Sequence, residues 1–179
     1  MAIDYKAELQ EKMRNVKLII MDIDGVLTDG RVGYDNSGNE IKFFNVQDGH
    51  ALKMAKRGNL ITGAISGRRA EANQRRAKEL DFDFLYERQK DKRIAFQKVL
   101  EEFNVEPYQC AYIGDDVIDI PILRQVGFAV AVNNAPEELD DFTDYRTKLA
   151  GGYGAVREMV TMILKCQKSW DKLMERYVK

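Results

Sequence analysis

The chain has 179 residues, 45% of them hydrophobic and 32% charged, and its 28 basic and 29 acidic side chains leave a formal net charge of −1. That length suits one domain, residues 1–179, with its own core, and the apolar content excludes a disordered polymer. The near-neutral balance excludes general attraction to nucleic acid or an anionic membrane, so any anion must be caught locally.

The N-terminal stretch scatters Asp4 and Glu8 among apolar residues, unlike the charged start and unbroken apolar run of an export signal. No segment approaches membrane-spanning length. Cys110 and Cys166 lack metal or redox spacing, so they are expected to be reduced thiols, which suits the cytoplasm.

Residues 17–22 form a short apolar run ending in Asp22, the pattern of a buried parallel strand that delivers a carboxylate to its C-terminal edge. Residues 31–46 hold turn chemistry around 34–39 between two strand-like runs, predicting a β-hairpin. Further strands are expected at 60–65, 82–86, 110–113 and 128–132, alternating with helices at 49–58, 69–80, 91–104 and 117–126. The alternation predicts a doubly wound α/β parallel sheet, whose ligands bind beyond the strand C-termini. Residues 155–177, including the sole tryptophan, Trp170, read as one long helix within a tail of about 155–179.

The residues that carry chemistry sit at those strand ends. In Asp22-Ile23-Asp24-Gly25 the two carboxylates are separated by one residue where a strand runs out: one can attack phosphorus and the other can move protons. The alternative is a capped turn. Gly114-Asp115-Asp116-Val117-Ile118-Asp119 follows another strand, and carboxylates gathered at neighbouring strand ends call for a hard cation such as Mg²⁺. Asp115 is assigned to the metal, with Asp116 and Asp119 left to capping, lysine-holding or support of the metal ligands. Ser66-Gly67 opens a further helix with a hydroxyl and free amides suited to phosphate, and Lys92 opens another, where it can offset phosphoryl charge. Each has a bland reading, as cap or solvated lysine. The sole histidine, His50, is not expected to be catalytic.

The ordered set of Asp-x-Asp, Ser, Lys and Gly-Asp-Asp, each after a separate strand, resembles the haloacid dehalogenase superfamily. The resemblance implies that Asp22 is a transiently phosphorylated nucleophile, Asp24 a general acid/base, and Ser66 and Lys92 phosphate binders. It also implies Mg²⁺ held by Asp22, the Asp24 backbone carbonyl and Asp115. An aspartate at 24 argues for phosphotransfer over the dehalogenase and phosphonatase branches.

The stretches Asp22 to Gly30, Phe44-Asn45-Val46-Gln47-Asp48-Gly49, Ser66-Gly67-Arg68, Gly114-Asp115-Asp116 and Gly151 to Glu158 are more closely similar to the capless 3-deoxy-D-manno-octulosonate 8-phosphate (Kdo-8-phosphate) phosphatases. This likeness implies a phosphoric monoester hydrolase of lipopolysaccharide precursor synthesis. It also implies a fold with no inserted cap domain and a homotetramer in which a neighbour supplies the lid. Substrate contacts are implied at Asp24, Asn45, Val46, Gln47, Asp48, Gly49, Lys53, Gly67, Arg68, Arg76 and Lys92. Arg68 and Arg76 are expected about two turns apart on one helix, both facing the cleft to clamp a sugar-acid carboxylate.

Arg68 favours the eight-carbon substrate, since the branch acting on the nine-carbon keto-deoxy sugar acid phosphate carries glutamate there. Four features depart from the family pattern: Gln47 where arginine is common, Lys53 in place of arginine, Asn133-Asn134 for Ala-Asp, and a lysine-rich tail after Cys166. Other classes to weigh are a phospho-receiver domain, whose motif order differs, and a non-catalytic regulatory domain.

Overall fold

The computed structural model describes residues 6–179; the earlier positions, Asp4 among them, lie outside the described residues. In chain order the elements are α1 (Ala7–Asn15), β1 (Leu18–Met21), β2 (Gly33–Tyr34), β3 (Glu40–Ile41), α2 (Val46–Arg57), β4 (Ile61–Ile65) and α3 (Glu71–Leu80). There follow β5 (Phe84–Tyr86), α4 (Lys92–Phe103), β6 (Cys110–Gly114), α5 (Ile120–Leu123), β7 (Phe128–Ala131), β8 (Tyr145–Arg146), α6 (Ala155–Cys166) and α7 (Trp170–Val178). Six strands make one parallel sheet in the order β5-β4-β1-β6-β7-β8, while β2 and β3 pair antiparallel as a separate hairpin.

β1 occupies the middle of the sheet, and all four of its residues are buried. Helices cover both faces, so an unbroken apolar run serves it better than alternation. Successive side chains still point to opposite faces. Ile19 and Met21 join the core layer of Leu52, Met54, Val156 and Ile163 under α2 and α6, whereas Leu18 and Ile20 join Phe96, Val99 and Ile122 under α4 and α5.

The hairpin forms where expected because the Asp35 carboxylate accepts from the amides of Ser37 and Asn39, each at 2.8 Å, and closes the turn. Its exit is shorter than the sequence suggests: Asn45 caps α2 by accepting from the Gln47 amide at 2.7 Å, so Val46 already belongs to the helix. α1 and β8 were not anticipated. α1 buries only Met13, and β8 has two residues, so neither presents a clear hydrophobic period.

Three expectations need correction. The helix at 117–126 is a 3-10 turn at Val117–Asp119 followed by the single turn of α5, because Asp116 caps the turn and Pro121 lacks the N–H that a continuous helix would use. The long C-terminal helix is two helices. Lys168 adopts a left-handed φ of 59°, and the Gln167 side-chain amide donates to the carbonyls of Met13 and Val16 at the end of α1. Arg68 is not on a helix with Arg76; it lies in the loop before α3, where Glu87 takes the Ala70 amide and the helix starts only at Glu71.

Among the described residues, no helix is long and apolar enough to cross a membrane.

Candidate active site

Parallel pairing assembles the site. Met21 lies opposite Ala64 of β4 and Ile113 of β6, so Asp22, Ser66 and Asp115 all emerge beyond the C-terminal edge of three adjacent strands. Asp22 is 4% exposed. Its Oδ1 accepts from the Ile23 amide at 2.6 Å, and its Oδ2 lies 2.8 Å from Lys92 Nζ. The chain then turns tightly, with the amides of Val26, Leu27 and Thr28 all directed to the Ile23 carbonyl. Gly25 sits at a φ of +90°, and a Cβ there would come within 2.0 Å of Asp115 Oδ2. Only glycine meets both demands, and its bare backbone lets Asp115 close over the loop.

Lys92 is the first residue of α4, a helix capped by Asp91. It is 3% exposed, and its ammonium also donates to Asp119 Oδ1 at 2.6 Å and to the Tyr112 hydroxyl at 3.3 Å. Asp119 accepts a further 2.6 Å bond from Tyr112, and its Oδ2 accepts from the Asp115 amide at 3.0 Å. Of the two aspartates left open, Asp119 holds the lysine and Asp116 caps the 3-10 turn.

Three carboxylates thus face one ammonium. Burial pushes the Asp22 carboxyl up to about 6 despite the opposing pull of Lys92. Burial, then the charges of Asp22 and Asp119, push Asp115 up to about 8. Burial alone would lower Lys92, but the two carboxylates beside it outweigh that and its net shift is upward. Burial also raises Tyr112 well above the ordinary phenol, keeping it neutral as a donor to Asp119. Oxygens of Asp22, Asp115 and Asp119 all lie within 4.8 Å of one another. This excess of negative charge on hard oxygen donors fits a divalent cation such as Mg²⁺.

Around this centre, Ser66 is buried, takes the Tyr86 carbonyl with its own amide at 2.8 Å, and accepts from the Arg68 amide through Oγ at 3.2 Å. Gly67 lies between them. Asp24 Oδ1 is bonded to Lys42 at 2.6 Å. The Arg68 guanidinium pairs with Glu40 and reaches within 4.0 Å of Asp24.

The 45–49 segment is only partly turned toward the cleft. Val46 is 80% exposed, and Asp48 is buried, accepting from the Arg157 amide at 2.7 Å, with burial raising its pKa. Arg76 donates to the Asn45 carbonyl at 3.0 Å, lies over the Phe44 ring and pairs with Glu79. Its guanidinium fills the space a Cβ at Gly49 would need, at 2.4 Å. Arg68 and Arg76 therefore belong to separate networks, and Lys53 pairs with Asp81 at the end of α3. The structure brings together Asp22, Lys92 and Asp115, sets Asp24 and Ser66 beside them, and leaves Asp48 and Lys53 engaged elsewhere. Sequence reasoning missed Lys42 and Tyr112. A lysine between Ile41 and Phe43 was the one available hint of a buried cation.

A family model described as haloacid dehalogenase-like hydrolase matches residues 79–158. The 3-deoxy-D-manno-octulosonate 8-phosphate phosphatase KdsC of Escherichia coli is 40% identical over 166 residues, 93% of this chain and 88% of that relative. The chain belongs to the 3-deoxy-D-manno-octulosonate 8-phosphate phosphatase family. Solved members of this family share the fold. A Moraxella catarrhalis phosphatase in complex with magnesium, phosphate and Kdo has a TM-score of 0.93 at 38% identity, covering 97% of this chain and 99% of that one. The cobalt-bound Haemophilus influenzae phosphatase has a TM-score of 0.85 at 37% identity, covering 88% and 92%. Among the described residues, the six-stranded sheet carries a small hairpin after its first strand and no inserted cap.

Proposed function

We propose that the chain is a magnesium-dependent phosphomonoesterase that converts 3-deoxy-D-manno-octulosonate 8-phosphate to Kdo and phosphate in lipopolysaccharide precursor synthesis. The reading rests on buried Asp22, held 2.8 Å from Lys92 beside Asp115, in a chain 40% identical to a Kdo-8-phosphate phosphatase.

In this reading Asp22 attacks phosphorus. The bond from phosphorus to the sugar oxygen breaks, and Asp24 gives a proton to that oxygen. Asp24 then takes a proton from water as the water attacks phosphorus and frees Asp22. Lys92, steadied by Asp119 and Tyr112, holds Asp22 and offsets phosphoryl charge. Ser66 and the Gly67 amide cradle the remaining oxygens, with the Arg68 amide holding the Ser66 hydroxyl in place. Asp22, Asp115 and the Asp24 carbonyl would hold Mg²⁺, which supplies Lewis-acid withdrawal of phosphoryl charge when bound.

Arg68 is assigned to the sugar-acid carboxylate, and its present partner Glu40 is a carboxylate of similar geometry. Arg76 takes a supporting part by bracing Asn45, behind a substrate surface formed by the exposed Val46 and Gln47, while Asp48, Gly49 and Lys53 serve that surface only as its support. We assign residues 1–179 to one domain acting as a homotetramer, with a neighbour covering the uncapped cleft. Exposed apolar side chains on and after the hairpin support that assembly: Tyr34, Ile41, Phe43 at 76% and Val46. Free Cys110 and Cys166 suit a cytoplasmic setting.

The test is phosphate release with Mg²⁺ from the eight- and nine-carbon sugar acid phosphates. A higher kcat/KM for the eight-carbon ester is expected, together with a selective loss of that preference in Arg68→Ala. Equal rates on the two esters would overturn the substrate assignment.

A further inference from the structure

Lys42 lies directly after β3, on a hairpin that is otherwise largely exposed, yet its side chain is 2% exposed. Its ammonium donates to Asp24 Oδ1 at 2.6 Å, with Glu40 Oε2 at 3.7 Å. Asp24 Oδ2 is buried and accepts no hydrogen bond from the described residues; the Arg68 Nε is 4.0 Å away. Burying an ammonium is costly unless it is paired, and this one is spent on Asp24 and Glu40. Lys92, whose side chain is equally enclosed, serves Asp22 and Asp119 instead. The two carboxylates of the Asp-x-Asp motif therefore have separate cations, delivered by separate elements.

We infer that Lys42 is a positioning residue for Asp24. By occupying Oδ1 it fixes the orientation of the carboxyl group and leaves Oδ2 as the oxygen that handles the proton. The inference rests on Asp24 being the acid/base. As the bond from phosphorus to the sugar oxygen breaks and the bond to Asp22 forms, the proton on Asp24 Oδ2 passes to the departing oxygen. In the second step Oδ2 receives a proton from water as the water–phosphorus bond forms and Asp22 leaves. Lys42 keeps its protons throughout and touches no substrate atom.

Leaving-group chemistry separates this role from a structural one. A sugar alkoxide needs a proton to depart; p-nitrophenolate does not. The measurement is kcat/KM, which reports the first phosphoryl transfer, for the magnesium-loaded full chain on Kdo-8-phosphate and on p-nitrophenyl phosphate. Asp24→Asn is expected to lose about 10³-fold on the sugar ester and far less on the aryl ester. Lys42→Met is expected to repeat that selectivity at about 10²-fold, with Lys42→Arg recovering part of the rate.

In the Asp24→Asn background, Lys42→Met should cost nothing further, because Lys42 acts only through Asp24. That double variant removes both buried charges and stays informative if Lys42→Met alone does not fold. Equal losses on the two esters, or a full additional loss in the double variant, would overturn the role of Lys42. Selective loss in Asp24→Asn without it in Lys42→Met removes Lys42 alone. Absence of selectivity in Asp24→Asn removes the acid assignment and the inference with it.

Discussion

Lys92 Nζ lies 2.8 Å from Asp22 Oδ2, with both side chains almost fully enclosed. The ammonium cannot turn to solvent, and Asp119 holds its other side at 2.6 Å. A carboxylate fixed in this way pays little reorganisation when it attacks.

Replacing Asp22 by Asn keeps the shape and removes the nucleophile. Phosphate release is expected to fall by roughly 10⁴-fold or more, while the circular-dichroism melt stays within a few degrees of wild type. Wild-type turnover in this variant would show that another group attacks phosphorus.

Asp119→Asn removes one of the two carboxylates bonded to Lys92 and weakens the bond from Tyr112. The expected result is a fall in kcat of about 10²-fold with little change in KM, because charge stabilisation at the reacting centre is lost while substrate contacts remain. Steady-state kinetics at saturating Mg²⁺ check it; an unchanged kcat means that Asp22 alone holds the lysine.

The two raised carboxyls link stability to pH and metal. Asp22, at about 6, and Asp115, at about 8, both lie above their ordinary value of 3.8. Their protonated forms favour the folded state. That contribution is complete below 3.8 and is lost as pH rises through about 6 and then about 8. Magnesium competes with those protons, so its stabilisation grows over the same window. Melting with EDTA and with Mg²⁺ at pH 5.5 and 8.5 should give the larger magnesium-induced rise in Tm at pH 8.5. Equal rises would separate the metal from these two carboxyls.

Phe43 and Val46 are among the most exposed apolar side chains of the described residues. Phe43→Glu with Val46→Glu is expected to dissociate the proposed homotetramer and lower kcat/KM, read by sedimentation velocity and phosphate release on the same sample. An unchanged sedimentation coefficient would place the subunit contact elsewhere.

The main-chain plan was largely readable because the strands of a two-sided parallel sheet are short apolar runs that need no partner to be recognised. Asp22, Ser66 and Asp115 could be picked out as the first polar residues after such runs. The misread elements have local causes: Pro121 and the Asp116 cap shorten one helix, and Lys168 breaks another. Neither α1 nor β8 buries enough to carry a period.

The sequence by itself determined which strands carry carboxylates and in what order, since each signal lies within one apolar run and the turn after it. Only the tertiary structure decided which charge meets which. Asp119 reaches Lys92 across 27 positions, Lys42 reaches Asp24 across 18, and Arg68 reaches Glu40 across 28. Such pairs depend on strand register and on where the hairpin folds back, and burial makes them obligatory, because an ammonium or carboxylate removed from water must find its counter-charge wherever the chain has brought one.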